Sequence, residues 1–182
     1  MALPIVLYGD PVLRVKCRRV EKITKELDEL ADEMIETMID AQGVGLAAPQ
    51  IGVPIQMAVV DVAHDPECIT YLRIDGEDAD LEDCMPLVFV NPELTLHKEK
   101  EPCEEGCLSI PDFRAEVTRP IEITARLEML DGSFITVETD GLLARAIQHE
   151  VDHLNGILFV DRLGTTGKMR AKREIKKLAK TW

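Results

Sequence analysis

Hydrophobic residues recur at helical spacing over residues 25–41, and acidic residues fill the opposite positions. Apolar side chains three and four positions apart share one face of a helix, so this stretch predicts an amphipathic helix with Thr24 as its N-cap. We interpret its methionine-rich stripe, which includes Ile39, as core packing. A second helix is predicted over residues 141–154, because Asn155 and Gly156 form a typical helix C-terminus.

Apolar runs and alternating patterns predict six short strands, over residues 55–62, 86–90, 93–97, 121–129, 135–139 and 157–160. The clearest is the fourth, where apolar side chains occupy every second position, as in a half-buried strand. Asp131 and Gly132 follow it and predict a hairpin turn. Residues 63–86 are mostly acidic and rich in turn residues, so we expect an exposed excursion there. A basic helix is predicted at the C-terminal end.

Strands joined mainly by turns, with helices before, between and after them, indicate an α+β fold rather than a doubly wound parallel sheet. A chain of 182 residues is long enough to bury one sizeable core, so we expect a single domain over residues 1–182. No stretch approaches 18 consecutive apolar residues, and the first residues lack the pattern of an export signal. We therefore expect a cytoplasmic protein without a membrane partner.

Charge is spread unevenly along the chain. The net charge is −13, which argues against general binding to DNA or RNA. Residues 167–182 carry seven basic residues and one acidic residue, so this segment has a charge of +6 and residues 1–166 have −19. The five cysteines form an odd set without regular spacing, which favours reduced thiols or metal ligands over disulfides.

The strongest chemical pattern is His-Glu-Val-Asp-His at residues 149–153, inside the second predicted helix. Histidines four positions apart stand on one helical face, so His149 and His153 can reach a single metal ion. Glu150 lies between them, where it can take a proton from a water molecule on that ion. A hydrolytic site needs a third protein ligand and one open position.

Several residues are candidates for that third ligand. The position at which one protease family carries a third histidine holds Phe159 here. Glu174 follows the motif but lies in a strongly basic segment, and Cys107 lies beside Gly106, which would allow close approach of a ligand. Cys103 and Cys107 could also complete a closed Cys2His2 site. A zinc endopeptidase that uses Glu174 and a non-enzymatic metal-stabilised domain therefore stand as alternatives to a hydrolase that uses Cys107.

Three stretches resemble, in order, the signature motifs of the peptide deformylase family. They are Gly-Val-Gly-Leu-Ala-Ala-Pro-Gln at 43–50, Glu-Gly-Cys-Leu-Ser at 105–109 and Gln-His-Glu-Val-Asp-His at 148–153. Residues 8–14 and 156–162 also look like that family, so the likeness covers nearly the whole chain. The main departure is the acidic excursion at 63–86, which is longer than in compact bacterial members.

The resemblance implies a function and a cofactor. The substrate would be the N-formyl-methionyl end of a newly made polypeptide, and the products would be formate and a free amine. Family members bind one divalent ion through the positions that match Cys107, His149 and His153. Ferrous iron is the usual ion there, and nickel, cobalt or zinc can substitute. The fold implied is α+β, with antiparallel or mixed sheets packed around a central metal-binding helix.

The resemblance also assigns further roles. Glu150 would be the general base, and the Gln50 side-chain amide and the Leu108 backbone N–H would stabilise the oxyanion. Positions that match substrate-binding residues of the family are Val44, Gly45, Arg114, Leu142 and Ala146. Glu105 and Arg119 match a pair that braces the cysteine segment. The basic C-terminal helix, residues 167–182, is either a docked helix with a solvated rim or a contact for ribosomal RNA.

Overall fold

In the described part of the chain, one long helix precedes the strands, a short helix interrupts them, and two long helices follow them. The computed structural model describes residues 1–65, 68 and 70–182. Its α-helices are α1 (Lys25–Asp40), α2 (Leu81–Cys84), α3 (Gly141–Leu154) and α4 (Thr165–Leu178), and short 3-10 turns span Pro11–Arg14, Ala48–Ile51 and Phe159–Arg162. Its strands are β1 (Gly45–Ala47), β2 (Met57–Val60), β3 (Leu72–Ile74), β4 (Glu77–Asp78), β5 (Leu87–Leu96), β6 (Lys100–Cys107), β7 (Ile110–Pro120), β8 (Ile123–Glu128) and β9 (Phe134–Thr139).

These strands form two antiparallel sheets within the described ranges. The larger sheet has the order β1-β2-β5-β8-β9-β3-β4, so β1 lies at one edge, and the smaller sheet is the hairpin β6–β7. Neighbouring strands pair antiparallel in both sheets. The α+β prediction is therefore confirmed.

Among the described residues, three apolar clusters hold the helices against the sheets. α3 packs Leu143 and Ile147 into a cluster with the inner face of the large sheet. α1 packs Met34 and Met38 beneath β1 and β2, so most of its methionine stripe is core, whereas Ile39 is 57% exposed. β7, the last 3-10 turn and α4 form the third cluster. Each fully buried Leu, Ile or Met side chain stabilises the fold by about 1.5–3 kcal/mol.

The two long predicted helices and the hairpin are confirmed. α3 spans the predicted residues, and α1 begins after Thr24, although the Thr24 side chain makes no capping hydrogen bond. The hairpin between β8 and β9 turns at Gly132, which adopts φ 83°. None of the helices in the described part of the chain is long and apolar enough to cross a membrane.

Two predictions on strands and loops are wrong. Residues 157–160 do not form a strand: Asp161 accepts a hydrogen bond from the Leu158 N–H at 2.8 Å, and Phe159 and Val160 enter the core from a 3-10 turn. The segment 63–86 is not wholly an excursion, because β3 pairs with β9 and buries Leu72. Residues 66, 67 and 69 of that segment lie outside the described residues.

The remaining strand predictions differ from the structure in extent. The two runs at 86–90 and 93–97 are one strand, β5, with a break in register between Val90 and Glu93. The hairpin β6–β7 was not predicted, because β6 is mostly exposed and rich in charged residues, and the buried positions of β7 do not alternate regularly. The basic C-terminal helix is confirmed as α4.

Candidate metal centre and active site

Cys107, His149 and His153 form a cluster that could hold one metal ion. The two histidines lie one turn apart on α3, and Cys107 is the last residue of β6. The His149 and His153 Nε2 atoms are 3.2 Å apart, and the Cys107 Sγ lies 3.3 Å from the His153 Nε2. Their ligand atoms all lie within 4.8 Å of one another. Three ligand atoms therefore converge on one point from two separate elements.

The donor set fits a divalent transition metal. One thiolate and two imidazoles suit iron, cobalt, nickel and zinc, and three protein ligands leave a position open for chemistry. Neither rival ligand belongs to this cluster: Cys103 lines the adjoining cavity but is exposed on β6, and Glu174 is ion-paired with Arg170 at 2.9 Å on α4. The structure thus favours the open three-ligand site.

A buried carboxylate orients the first histidine. Glu105 Oε2 lies 3.1 Å from the His149 Nδ1, which leaves the Nε2 facing the cluster. Arg119 donates to both Glu105 oxygens, at 2.6 and 3.0 Å, and also to Asp152 at 2.8 Å. Such partners fix the ring and tautomer of a metal-binding histidine. The predicted Glu105–Arg119 pair is present and fully buried.

Burial and close neighbours shift the pKa values of the groups in this cluster. Burial alone would raise the pKa of Glu105, but hydrogen bonds from His149 and Arg119 outweigh it and lower the pKa to about 2. Burial and the charge of His149 lower the pKa of His153 well below its usual value. Burial would also lower the pKa of His149, but hydrogen bonds to Cys107 and Glu105 raise it. A metal ion therefore competes with a proton for His149.

Glu150 is a buried carboxyl group beside the cluster. It is 4% exposed, and its Oε2 has no hydrogen-bond partner among the residues described. Burial, opposed by the charges of His149 and Arg119, raises the pKa of Glu150 to about 7. A carboxyl group that titrates near neutral pH can both accept and return a proton.

The Gln50 side chain is held in one orientation by a hydrogen bond from the backbone of Ala47. Its Oε1 accepts a hydrogen bond from the Ala47 N–H at 2.9 Å, so its Nε2 faces the cysteine segment. That Nε2 lies 3.2 Å from the Ser109 Oγ and 3.6 Å from the Cys107 Sγ. A fixed N–H donor thus stands beside the candidate metal centre.

These groups open onto one cavity of about 650 Å³. Its lining includes all the predicted catalytic and substrate-binding residues, together with two of the three ligands: Val44, Gly45, Gln50, Cys107, Leu108, Arg114, Leu142, Ala146, His149 and Glu150. His153 lies behind the cavity wall and is buried.

Sequence reasoning missed several residues of this site, among them Ile5 and Arg145. Ile5, from the N-terminal segment, lines the cavity, and no local pattern marks it. Arg145 also lines it and donates to Glu105 at 2.8 Å. Its position four residues before His149, on the same helical face, was a usable signal.

Comparison with known proteins agrees with this geometry. The sequence model of the polypeptide deformylase family matches residues 2–169. A peptide deformylase of Opitutus terrae is 46% identical over 182 residues, covering 99% of this chain and 94% of its own. One of Agrobacterium fabrum is 47% identical over 180 residues, covering 97% and 94%.

Solved structures show the same likeness. The crystal structure of a peptide deformylase from Ehrlichia chaffeensis has a TM-score of 0.84 and 33% identity, covering 100% of this chain and 98% of its own. A peptide deformylase from Synechococcus elongatus in complex with actinonin has a TM-score of 0.80 and 37% identity, covering 96% and 86%.

Proposed function

The chain belongs to the polypeptide deformylase family, whose members remove the N-formyl group from newly made polypeptides, and we propose that Cys107, His149 and His153 hold its catalytic metal ion. The observation that carries this proposal is the convergence of the three ligand atoms at a cavity that also contains Glu150 and Gln50. We further propose that the whole chain acts as one catalytic unit in the cytoplasm, where its nascent substrates are made.

The metal has a defined chemical task. When bound, a divalent ion acts as a Lewis acid that activates a water molecule and polarises the formyl carbonyl group. We propose ferrous iron as the resident ion, with nickel, cobalt or zinc as substitutes, since one thiolate and two imidazoles accept each of them. Glu105 supports the site by holding His149 through its Nδ1.

Glu150 moves the proton. Its carboxylate takes a proton from the attacking water molecule and delivers it to the amine nitrogen as the C–N bond of the formamide breaks. The products are formate and the free α-amino group of methionine. The raised pKa of Glu150 suits both halves of this transfer.

Two N–H donors stabilise the negative charge that develops on the formyl oxygen. Gln50 supplies its Nε2, whose direction is fixed by the Ala47 N–H. Leu108 supplies its backbone N–H from the tight turn between β6 and β7. Each such donor is worth roughly 10²–10³ in turnover.

The cavity walls match the two parts of the substrate. Val44, Leu142 and Ala146 form an apolar pocket for the methionine side chain. Gly45 lies on β1, the edge strand of the large sheet, where an extended peptide can pair with the backbone. Arg114 stands at the cavity rim, near the path of that backbone, and is paired with Glu104 at 3.3 Å.

Replacing Glu150 tests the proposal. Glu150→Gln keeps the shape of the side chain but removes the base, so we expect a metal content near wild type and a loss of roughly 10²–10⁴ in kcat. Metal content is measured per folded protein, and formate release is measured with a formyl-methionyl peptide. A variant that loses its metal but keeps its activity per bound ion would show that Glu150 is a ligand rather than the base.

We also propose that α4 contacts ribosomal RNA. Its Ala171 and Ile175 are buried against the third apolar cluster, so the helix is docked on the body. Basic side chains on the outer face of α4, and one just after its end, are exposed: Lys168, Arg170, Lys172, Arg173, Lys176, Lys177 and Lys180. The docked helix thus carries a basic rim, and an RNA surface would attract that rim and repel the acidic body.

A further inference from the structure

Arg145 joins the two elements that carry the metal ligands. It lies on α3, four residues before His149, and its side chain is 11% exposed. Its guanidinium donates to Glu105 Oε1 at 2.8 Å, to the Val117 carbonyl at 2.9 Å and to the Glu101 carbonyl at 3.0 Å. All three acceptors belong to the hairpin β6–β7. One side chain therefore fastens the helix with the two histidines to the hairpin with Cys107.

Arg145 also completes the charge balance around Glu105. Arg119 is shared between two carboxylates, Glu105 and Asp152, and Arg162 binds the far side of Asp152 at 2.6 Å. Arg145 is a second cation paired with Glu105, at 2.8 Å from its Oε1. The result is an alternating row of buried and half-buried charges that ends at His149.

The hydrogen-bond partners of the two Glu105 oxygens depend on these neighbouring charges. Oε1 accepts from Arg119 and Arg145, and Oε2 accepts from Arg119 and faces the His149 Nδ1. Without Arg145, Oε1 would keep only its hydrogen bond from Arg119. A buried carboxylate that has lost one of its charged donors would rotate towards other donors or admit water. Either change loosens the ring of His149.

We propose that Arg145 is a positioning residue for the metal centre, which sets Glu105 against His149 and holds α3 and the hairpin β6–β7 at the separation that the three ligands need. The inference rests on the proposed metal site. A displacement of even 1 Å at such a site has large effects, so a residue that fixes two ligand-bearing elements controls how tightly the ion is held.

The test compares Arg145→Met, Arg145→Lys and a surface control, Arg126→Met, whose guanidinium stacks on the exposed Phe134 ring. Each full-length protein is loaded with cobalt(II), whose absorption bands report the ligand field. Release to a chelator is then followed well below the unfolding temperature. We expect Arg145→Met to release cobalt about 10–100-fold faster with shifted bands, the range typical for loss of a partner behind a ligand.

Two further comparisons separate positioning from general stability. Arg145→Lys keeps a charged donor, so it should release cobalt more slowly than Arg145→Met but faster than wild type. If Arg145→Met does not fold, the release rate of Arg145→Lys tests the inference. In a Glu105→Gln background, Arg145→Met should add little, because both residues act through the same contact to His149. Arg126→Met should behave as wild type.

The outcomes are distinct. Wild-type release rates and unchanged bands in both Arg145 variants would overturn the inference alone. A wild-type protein whose cobalt spectrum lacks a thiolate band would overturn the proposed metal site and the inference with it.

Discussion

Cys107 differs from the four other cysteines in what surrounds it rather than in its sequence spacing. Its sulfur lies 3.3 Å from the His153 Nε2, whereas Cys103, four residues earlier on the same strand, is exposed. The sequence motifs assign the ligand role to Cys107 by resemblance, but the residues alone left Glu174 and a Cys2His2 set open. Only the folded hairpin decides between them, because it brings residues 42 positions apart in the chain within ligand distance.

Replacement of the two cysteines should separate their roles. Cys107→Ser removes a soft thiolate ligand, so we expect most of the metal to be lost or its preference to change. Cys103→Ser is the matched control and should keep the wild-type ratio of metal to protein. Metal content is measured by elemental analysis after anaerobic purification. Equal metal content and activity in both variants would contradict the proposed ligand set.

At the scale of elements, local patterns predicted α1, α3 and the β8–β9 hairpin because helix periodicity and a turn signal are strong over those residues. The strand over 157–160 was wrong because an apolar run of four residues does not show whether a partner strand exists. The strand β3 was missed because its neighbours are acidic, although Leu72 is buried against β9. Long-range pairing decided both cases.

β1 approaches α3 so closely that Gly45 cannot carry a side chain without displacing Glu150. A Cβ at Gly45 would lie inside van der Waals contact with the Glu150 Oε1. Gly45→Ala should therefore move the carboxylate, keep the metal and lower kcat by about 10²-fold. The control is Gly164→Ala, where the added methyl group meets open space. Formate release and metal content measure both variants, and wild-type kcat in Gly45→Ala would show that Glu150 tolerates the shift.

At the scale of the whole molecule, the C-terminal helix α4 has an apolar face that packs into the core and a basic face that is exposed. The sequence predicted a basic helix over residues 167–182 but could not say whether its apolar residues are buried. The structure answers that point, since Ala171 and Ile175 pack against β7 and the 3-10 turn. A deletion of residues 168–182 would therefore uncover the third apolar cluster as well as remove charge. Substitution of exposed basic residues tests ribosome binding without disturbing the core.

Charge reversal on α4 should weaken ribosome binding without touching the core. In the triple variant Lys172→Glu, Arg173→Glu and Lys176→Glu, each changed residue is exposed. The control reverses three exposed lysines elsewhere, Lys16, Lys22 and Lys98, and so has the same net charge. Binding is measured by co-sedimentation with ribosomes over a salt series, because phosphate contacts release counterions and make affinity fall steeply with salt.

The control should bind as wild type, whereas the α4 variant should bind more weakly and with a shallower dependence on salt. Both should hydrolyse short formyl-methionyl peptides at the wild-type rate, since the changed residues lie outside the cavity. Equal binding of the two variants at every salt concentration would mean that only net charge matters. In that case α4 would be a docked helix with a solvated rim, and its basic residues would have no specific contact with RNA.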